Sequence, residues 1–344
     1  MLSKRFNFDG KECEKLNSSQ EKAKKEILEK IEKKLYKFEN ISCPICQSNS
    51  KDEISQKDKY GLPHIISLCK DCGFLYASKR LNQDAYNDFY IHHFNDLDIG
   101  YSVGFDESFK SQYHNAKYAI YEYIKEDIDF SKKLNILEVG CNSGGAIQVF
   151  HELGHNVVGL DLGPDAVNYG REEHSLNLLN IDLPDFESEI KFDLIIYNSV
   201  FEHISDLDAH LIQIQKLLVP NGKLFLRVPG IKNLHNNFFH KYDLLNFITL
   251  PHIYYFSVTS LTNLLQQYGL VHLKSNEVIF SLYEFRAENR NKIENDYVGL
   301  KEYLQGQDNV VKIKIKNWLH TSKMFLRTIL VKLNLLSFVK SIVR

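Results

Sequence analysis

An alternation in the middle of the chain decides its fold class. Short apolar runs at Leu134–Val139, Asn156–Leu160, Leu176–Ile181, Phe192–Tyr197 and Lys223–Val228 are separated by amphipathic stretches near Gly144–Leu153, Pro164–His174 and Leu207–Leu218. A further helical stretch, Glu107–Ile128, leads into them. Runs this short and this apolar read as strands buried on both faces, and a helix between successive strands makes them parallel. The prediction is an α/β domain, a Rossmann-like sheet with helices on both faces.

The first run ends in Leu137-Glu138-Val139-Gly140-Cys141-Asn142-Ser143-Gly144-Gly145. A buried strand that turns through glycines into a helix is a nucleotide-binding corner. Gly140 and Gly144 admit a backbone approach that a Cβ would block. The second run ends at Asp161, whose carboxylate can accept from both ribose hydroxyls of an adenosine; the third ends at Asp182, placed to bind an adenine amino group. The glycines alone also suit a dinucleotide dehydrogenase. Asn142, however, stands where that loop has its second glycine. Glu138 puts a negative charge beside the pocket, which suits an ammonium or sulfonium and repels a pyrophosphate. Taken singly, Asp161 or Asp182 is also what a helix cap looks like.

Ahead of this domain lie Cys43-Pro44-Ile45-Cys46 and Cys69-Lys70-Asp71-Cys72-Gly73, about 22 residues apart. Each pair sits on a turn that can aim two thiolates at one ion. Together they predict a zinc ribbon, and four sulfurs fill the tetrahedron, so the metal is structural. The alternative use of such pairs is redox chemistry. Met1–Gly10 has no apolar signal core and no run approaches the roughly 18 residues of a membrane span. A cytoplasmic protein is therefore expected, where this spacing means metal more often than disulfides. Helical periodicity places a helix over about 19–39, through Ala23, Ile27, Leu28, Ile31, Leu35 and Phe38. An aromatic-rich stretch from Leu81 to Phe105, with Tyr86, Phe89, Tyr90, His92 and His93, reads as a linker or lid. The resulting division is a helical segment at 1–40, the cysteine module at 41–80, linker and helix at 81–130, the cofactor domain at 131–290 and a basic helical tail at 291–344.

As an ordered set these motifs resemble the class I S-adenosylmethionine-dependent methyltransferases. The resemblance runs from about Glu107 to Phe285. It is carried by Glu138–Gly144, Asp161, Asp182 and Phe192-Asp193-Leu194-Ile195. It continues through Asn198-Ser199-Val200-Phe201-Glu202-His203, Leu217-Leu218-Val219-Pro220-Asn221-Gly222 and His252-Ile253-Tyr254-Tyr255-Phe256-Ser257. It implies S-adenosylmethionine as cofactor, with Glu138, Gly140, Asn142 and Gly144 at the amino-acid end, Asp161 on the ribose and Asp182 on the adenine. Asn198 is counted with these contacts. A four-cysteine module ahead of such a domain looks like the zinc-bearing methyltransferases of sugar and polysaccharide tailoring. Some of those methylate carbon and carry an additional C-terminal domain; the stretch after Phe285 is short and helical, so oxygen is the expected acceptor.

Methyl transfer to oxygen needs a base, because a sugar hydroxyl is hardly ionised at neutral pH. Glu202-His203 follows the fourth strand, at the sheet edge where ligands sit. His203 is the first candidate for base, with Glu202 as its orienter or a substrate ligand; the same pair can also be a local helix cap. Gly230–Phe256 is rich in His, Phe, Tyr and Asn and suits a sugar or nucleotide, with His235, His240, His252 and Tyr255 as second-rank candidates. From Val310 onward there are eight basic residues and no acidic ones, leaving the preceding chain with an excess of about ten acids. That argues against a nucleic-acid partner over most of the surface, and so against the alternative of an RNA methyltransferase gripping its substrate through the zinc module. A non-catalytic zinc-dependent interaction protein is a further alternative, against which the Glu138, Asp161 and Asp182 set speaks. Ile315–Arg344 is an amphipathic basic helix. It can lie peripherally on the inner face of an anionic membrane, or bury its apolar side on the protein or in a homodimer.

Overall fold

The computed structural model describes residues 1–99, 104–287 and 292–332. A small antiparallel sheet comes first: β1 (Phe38–Asn40), β2 (Lys51–Lys57), β3 (Pro63–Cys69) and β4 (Leu75–Leu81), in the order β1-β4-β3-β2. A large sheet follows, with β5 (Asn135–Val139), β6 (Asn156–Leu160), β7 (Leu178–Leu179), β8 (Phe192–Asn198) and β9 (Leu218–Arg227). The chain then sends β10 (Tyr254–Tyr255) back to the small sheet. It completes the large one with β11 (Leu270–Ser275) and β12 (Phe280–Phe285).

The order across the large sheet is β11-β12-β9-β8-β5-β6-β7. The five strands from β7 to β9 are parallel and β12 runs against β9. This is the class I methyltransferase sheet expected from the sequence. The chain winds outward from β5 through β6 to β7, then returns to β8 on the other side, so a crevice opens at the carboxyl ends of β5 and β8. The helices Gly145–Glu152, Pro164–His174 and Leu207–Leu217 alternate with these strands as their periodicity predicts.

Three expectations change. The N-terminal helix runs Ser18–Glu32, not to about residue 39. Lys34 turns left-handed (φ 57°) and Phe38 pairs with Leu81 as the start of β1, while Leu35, counted on the apolar face, is exposed. The third run forms only a two-residue strand, Leu178–Leu179; beyond it Asn180 donates to the Asp161 carbonyl and Asp182 accepts from Leu183 N–H. Finally, the cysteine sheet shares its core with the larger domain. β10 pairs with β4, and one apolar cluster runs from Phe6 through Leu68 and Tyr197 to Leu300 and Leu304. Leu300 and Leu304 belong to the helix Tyr297–Gln307, so the front of the expected tail is core structure.

Candidate active site and cysteine cluster

The glycine turn is built by necessity at two points. Gly140 has φ 72°, and a Cβ there would lie 2.3 Å from the Val200 side chain. Asn142, the departure from glycine, adopts φ 52°, which asparagine tolerates better than most residues. Its side chain accepts from Ser143 N–H at 2.8 Å and its own N–H donates to Asp161 Oδ2 at 2.7 Å. The loop keeps its shape and is tied to the end of β6.

Glu138 is buried at the end of β5, 2% exposed. The Ile147 N–H serves it, but its Oε2 has no hydrogen-bond partner among the described residues. Burial, reinforced by the nearby negative charge of Asp161, pushes its carboxyl up to about 8. An unpartnered carboxylate in low dielectric is costly, and a cationic ligand would remove that cost. Asp161 also accepts from Gly163 N–H at 2.8 Å; burial still raises it above its ordinary value. Asp182 caps the turn Leu183–Asp185 and lies 3.4 Å from His210 Nε2, while His210 Nδ1 meets the buried Tyr197 hydroxyl at 3.1 Å. Burial pushes Asp182 up, but the hydrogen bond and charge of His210, with the Leu183 N–H, together outweigh it and hold the carboxyl below its ordinary value. Asp182 thus makes both the cap and a pair with the buried His210, a partner that spacing alone does not reveal. Asn198, at the end of β8, accepts from Arg227 at 3.2 Å.

His203 follows β8 in a short turn, its side chain 18% exposed. Nδ1 lies 2.9 Å from both the Pro251 carbonyl and the Tyr90 hydroxyl. A carbonyl only accepts, so that contact favours the tautomer with the proton on Nδ1 and the lone pair on Nε2. The orienting position expected for Glu202 is therefore held by Pro251 and Tyr90. Glu202 sits on the opposite side, 3.8 Å from Nε2, beyond hydrogen-bond range. It is buried, its two carboxyl oxygens have no hydrogen-bond partner among the described residues, and burial pushes it up to about 8. His252 packs edge-on against His203 at 4.8 Å between centroids, and Glu202, His203 and His252 together could hold a cation. Tyr90 comes from the helix Gln83–His92, which follows the small sheet.

Of the remaining candidates, Tyr255 is buried against Thr249 and His64, and His240 meets the Asn246 carbonyl. His235 lies at the surface against Tyr303.

The four cysteines converge. Cys43 and Cys72 sulfurs are 3.5 Å apart, Cys46 and Cys69 3.4 Å, and all four lie within 4.8 Å of one another. Zn–S bonds of about 2.3 Å put tetrahedral sulfurs roughly 3.8 Å apart, so the set fits one zinc without rearrangement. Hydrogen bonds from Cys43 and Cys72 lower the Cys69 thiol, while hydrogen bonding to that sulfur raises Cys43, hydrogen bonding to Cys43 raises Cys72, and burial raises Cys46, so four thiolates coexist here only around a cation. Gly73 closes the second knuckle at φ 75°, its Cα so close to Asp296 and Tyr297 that a Cβ would lie 2.5 Å from their backbone. Cys13 and Cys141 lie outside the cluster.

Residues 111–275 match the family model of a methyltransferase domain, a stretch that contains every cofactor and base candidate named above. Ubiquinone biosynthesis O-methyltransferase of Pelagibacter ubique is 30% identical over 128 residues, 33% of this chain and 53% of that protein. The enzyme of the same name from Bartonella tribocorum is 30% identical over 99 residues, 27% of this chain and 40% of that protein. The chain thus spans about half the length, or less, of these curated relatives. Among solved structures, the amino pentose methyltransferase CalS10 of Micromonospora echinaspora is similar with a TM-score of 0.32 and 20% identity, over 37% of this chain and 57% of that one.

Proposed function

We propose that this chain is an S-adenosylmethionine-dependent methyltransferase acting on an oxygen of a sugar, glycan or related small molecule. The observation that carries the cofactor is Glu138, a buried carboxylate with an oxygen left unpartnered at the mouth of the glycine turn. The cofactor supplies an electrophilic methyl on a sulfonium, and its amino-acid end supplies an ammonium. Glu138 and the Gly140–Gly144 turn would hold that end, Asp161 the ribose and Asp182, steadied by His210, the adenine.

His203 would take the acceptor's hydroxyl proton at Nε2, with Tyr90 and Pro251 fixing the ring through Nδ1. The imidazolium so formed faces Glu202. Zinc at Cys43, Cys46, Cys69 and Cys72 would be structural, stiffening the small sheet whose last strand leads into the helix that carries Tyr90. The test is transfer of labelled methyl from S-adenosylmethionine to a panel of sugar nucleotides and glycans. Label recovered as a methyl ether, lost in His203→Ala, supports the reading. Label recovered on carbon, nitrogen or RNA contradicts the acceptor class.

A further inference from the structure

The helix Val310–Lys332 meets the body by an unexpected face. Ile313 is buried, Asn317 donates to the Lys241 carbonyl at 2.8 Å, and His320 stacks on Phe238 at 3.7 Å while bonding the Tyr242 hydroxyl. Lys316 adds a bond to the His235 carbonyl. These residues recur every three or four positions and define the docked side. The apolar stripe, Val311, Ile315, Trp318, Phe325, Leu326 and Ile329, falls on the other side and stands in solvent, with Trp318 68% and Phe325 66% exposed. Burial of that stripe on the chain's own body is thus excluded for the described residues.

We propose that this stripe is a docking surface for an anionic lipid bilayer, on which the helix lies flat. Charge selects the occupant. Lys312, Lys314, Lys323 and Arg327 are exposed and make no ion pair among the described residues; Lys312 and Lys314 border the stripe, and Lys323 and Arg327 continue the row of docked residues on the same helix. No acidic residue occurs from Val310 onward, whereas the rest of the chain is net acidic. An apolar face flanked by cations is the pattern of an interfacial helix. The acidic body is repelled by the same surface, which orients the molecule with this helix toward lipid. No described helix is long and apolar enough to cross a membrane, so the contact is peripheral.

The single tryptophan of the chain, Trp318, reports on this contact directly. Adding vesicles of phosphatidylcholine with about one-third phosphatidylglycerol to the full chain should shift its emission to the blue and co-sediment the protein; pure phosphatidylcholine should do much less. Phe325→Ala with Leu326→Ala, and separately Lys312→Glu with Lys323→Glu and Arg327→Glu, should each lower partitioning about tenfold or more. All five positions are exposed, and Ile313, Asn317 and His320 still hold the helix, so folding is not at stake. Emission unchanged by anionic vesicles overturns the proposal. So does a blue-shifted emission that depends on protein concentration without lipid, which would mean that a second copy covers the stripe.

Discussion

Glu138 carries the sharpest chemical consequence of the site. At neutral pH its raised carboxyl, near 8, is mostly protonated in the free protein. A cationic ligand end favours the carboxylate, so binding of S-adenosylhomocysteine should expel a proton. Its affinity should rise between about pH 6 and pH 8 and level off above; calorimetry in buffers of different ionisation enthalpy measures both effects. Glu138→Gln should weaken binding by about 1.5–3 kcal/mol and abolish the proton release. At the base, His203→Ala should lower kcat by about 10²- to 10⁴-fold while leaving S-adenosylhomocysteine affinity unchanged. Tyr90→Phe should cost less and move the pH profile. Unchanged kcat in His203→Ala would remove the base from the account. Glu138, Asp161 and Asp182 were legible because a glycine turn and two strand ends set their places within one stretch of chain. Tyr90 was not: it lies 113 residues from His203, and nothing local links them.

At the level of elements, the helices between strands are legible in the sequence because their periodicity is local. Helix Pro164–His174 matches the expected span at both ends, helped by a proline in its first turn. The N-terminal helix was overextended because Phe38 fits a helical stripe as well as an edge strand, and only pairing with β4 decides between them. The cysteine spacing revealed the cluster but not its clamps. Asp296 N–H donates to the Cys72 carbonyl, and Asn295 to Lys70. Gly73→Ala should therefore destabilise the protein by roughly 2–4 kcal/mol, since both the left-handed backbone and the facing chain resist a side chain. Thermal denaturation measures it; an unchanged midpoint would contradict that packing. One zinc per chain is expected by metal analysis. Chelation should loosen the small sheet first and lower kcat with it, through Tyr90. Protein that keeps full activity without metal would separate the cluster from the site.

For the whole molecule, buried acids set a pH dependence opposite to that of surface carboxylates. Glu138 and Glu202, both pushed to about 8, and Asp58, pushed to about 7, hold protons in the folded state that the unfolded chain releases. Buried His64, pushed down to about 4, and the lowered His93, His155 and His272 act in the opposite sense below the ordinary histidine range, so stability should fall as pH rises chiefly between about pH 6.5 and 8. The melting temperature of the ligand-free protein should be lower at pH 8 than at pH 6; a flat or rising profile would contradict the protonation of these buried groups. The parallel sheet covered by helices is legible in the alternation, whereas the shared core of the two sheets is not, because β10 is two residues long and its partner lies far back in sequence. A buried Glu138 with an unpartnered oxygen and Asn142 in the glycine turn favour a cationic adenosyl ligand over a dinucleotide. Titration calorimetry at pH 7 tests this preference most directly. S-adenosylhomocysteine should bind one per chain with proton release, and NAD much more weakly. Tight NAD binding with no response to S-adenosylhomocysteine would contradict the account.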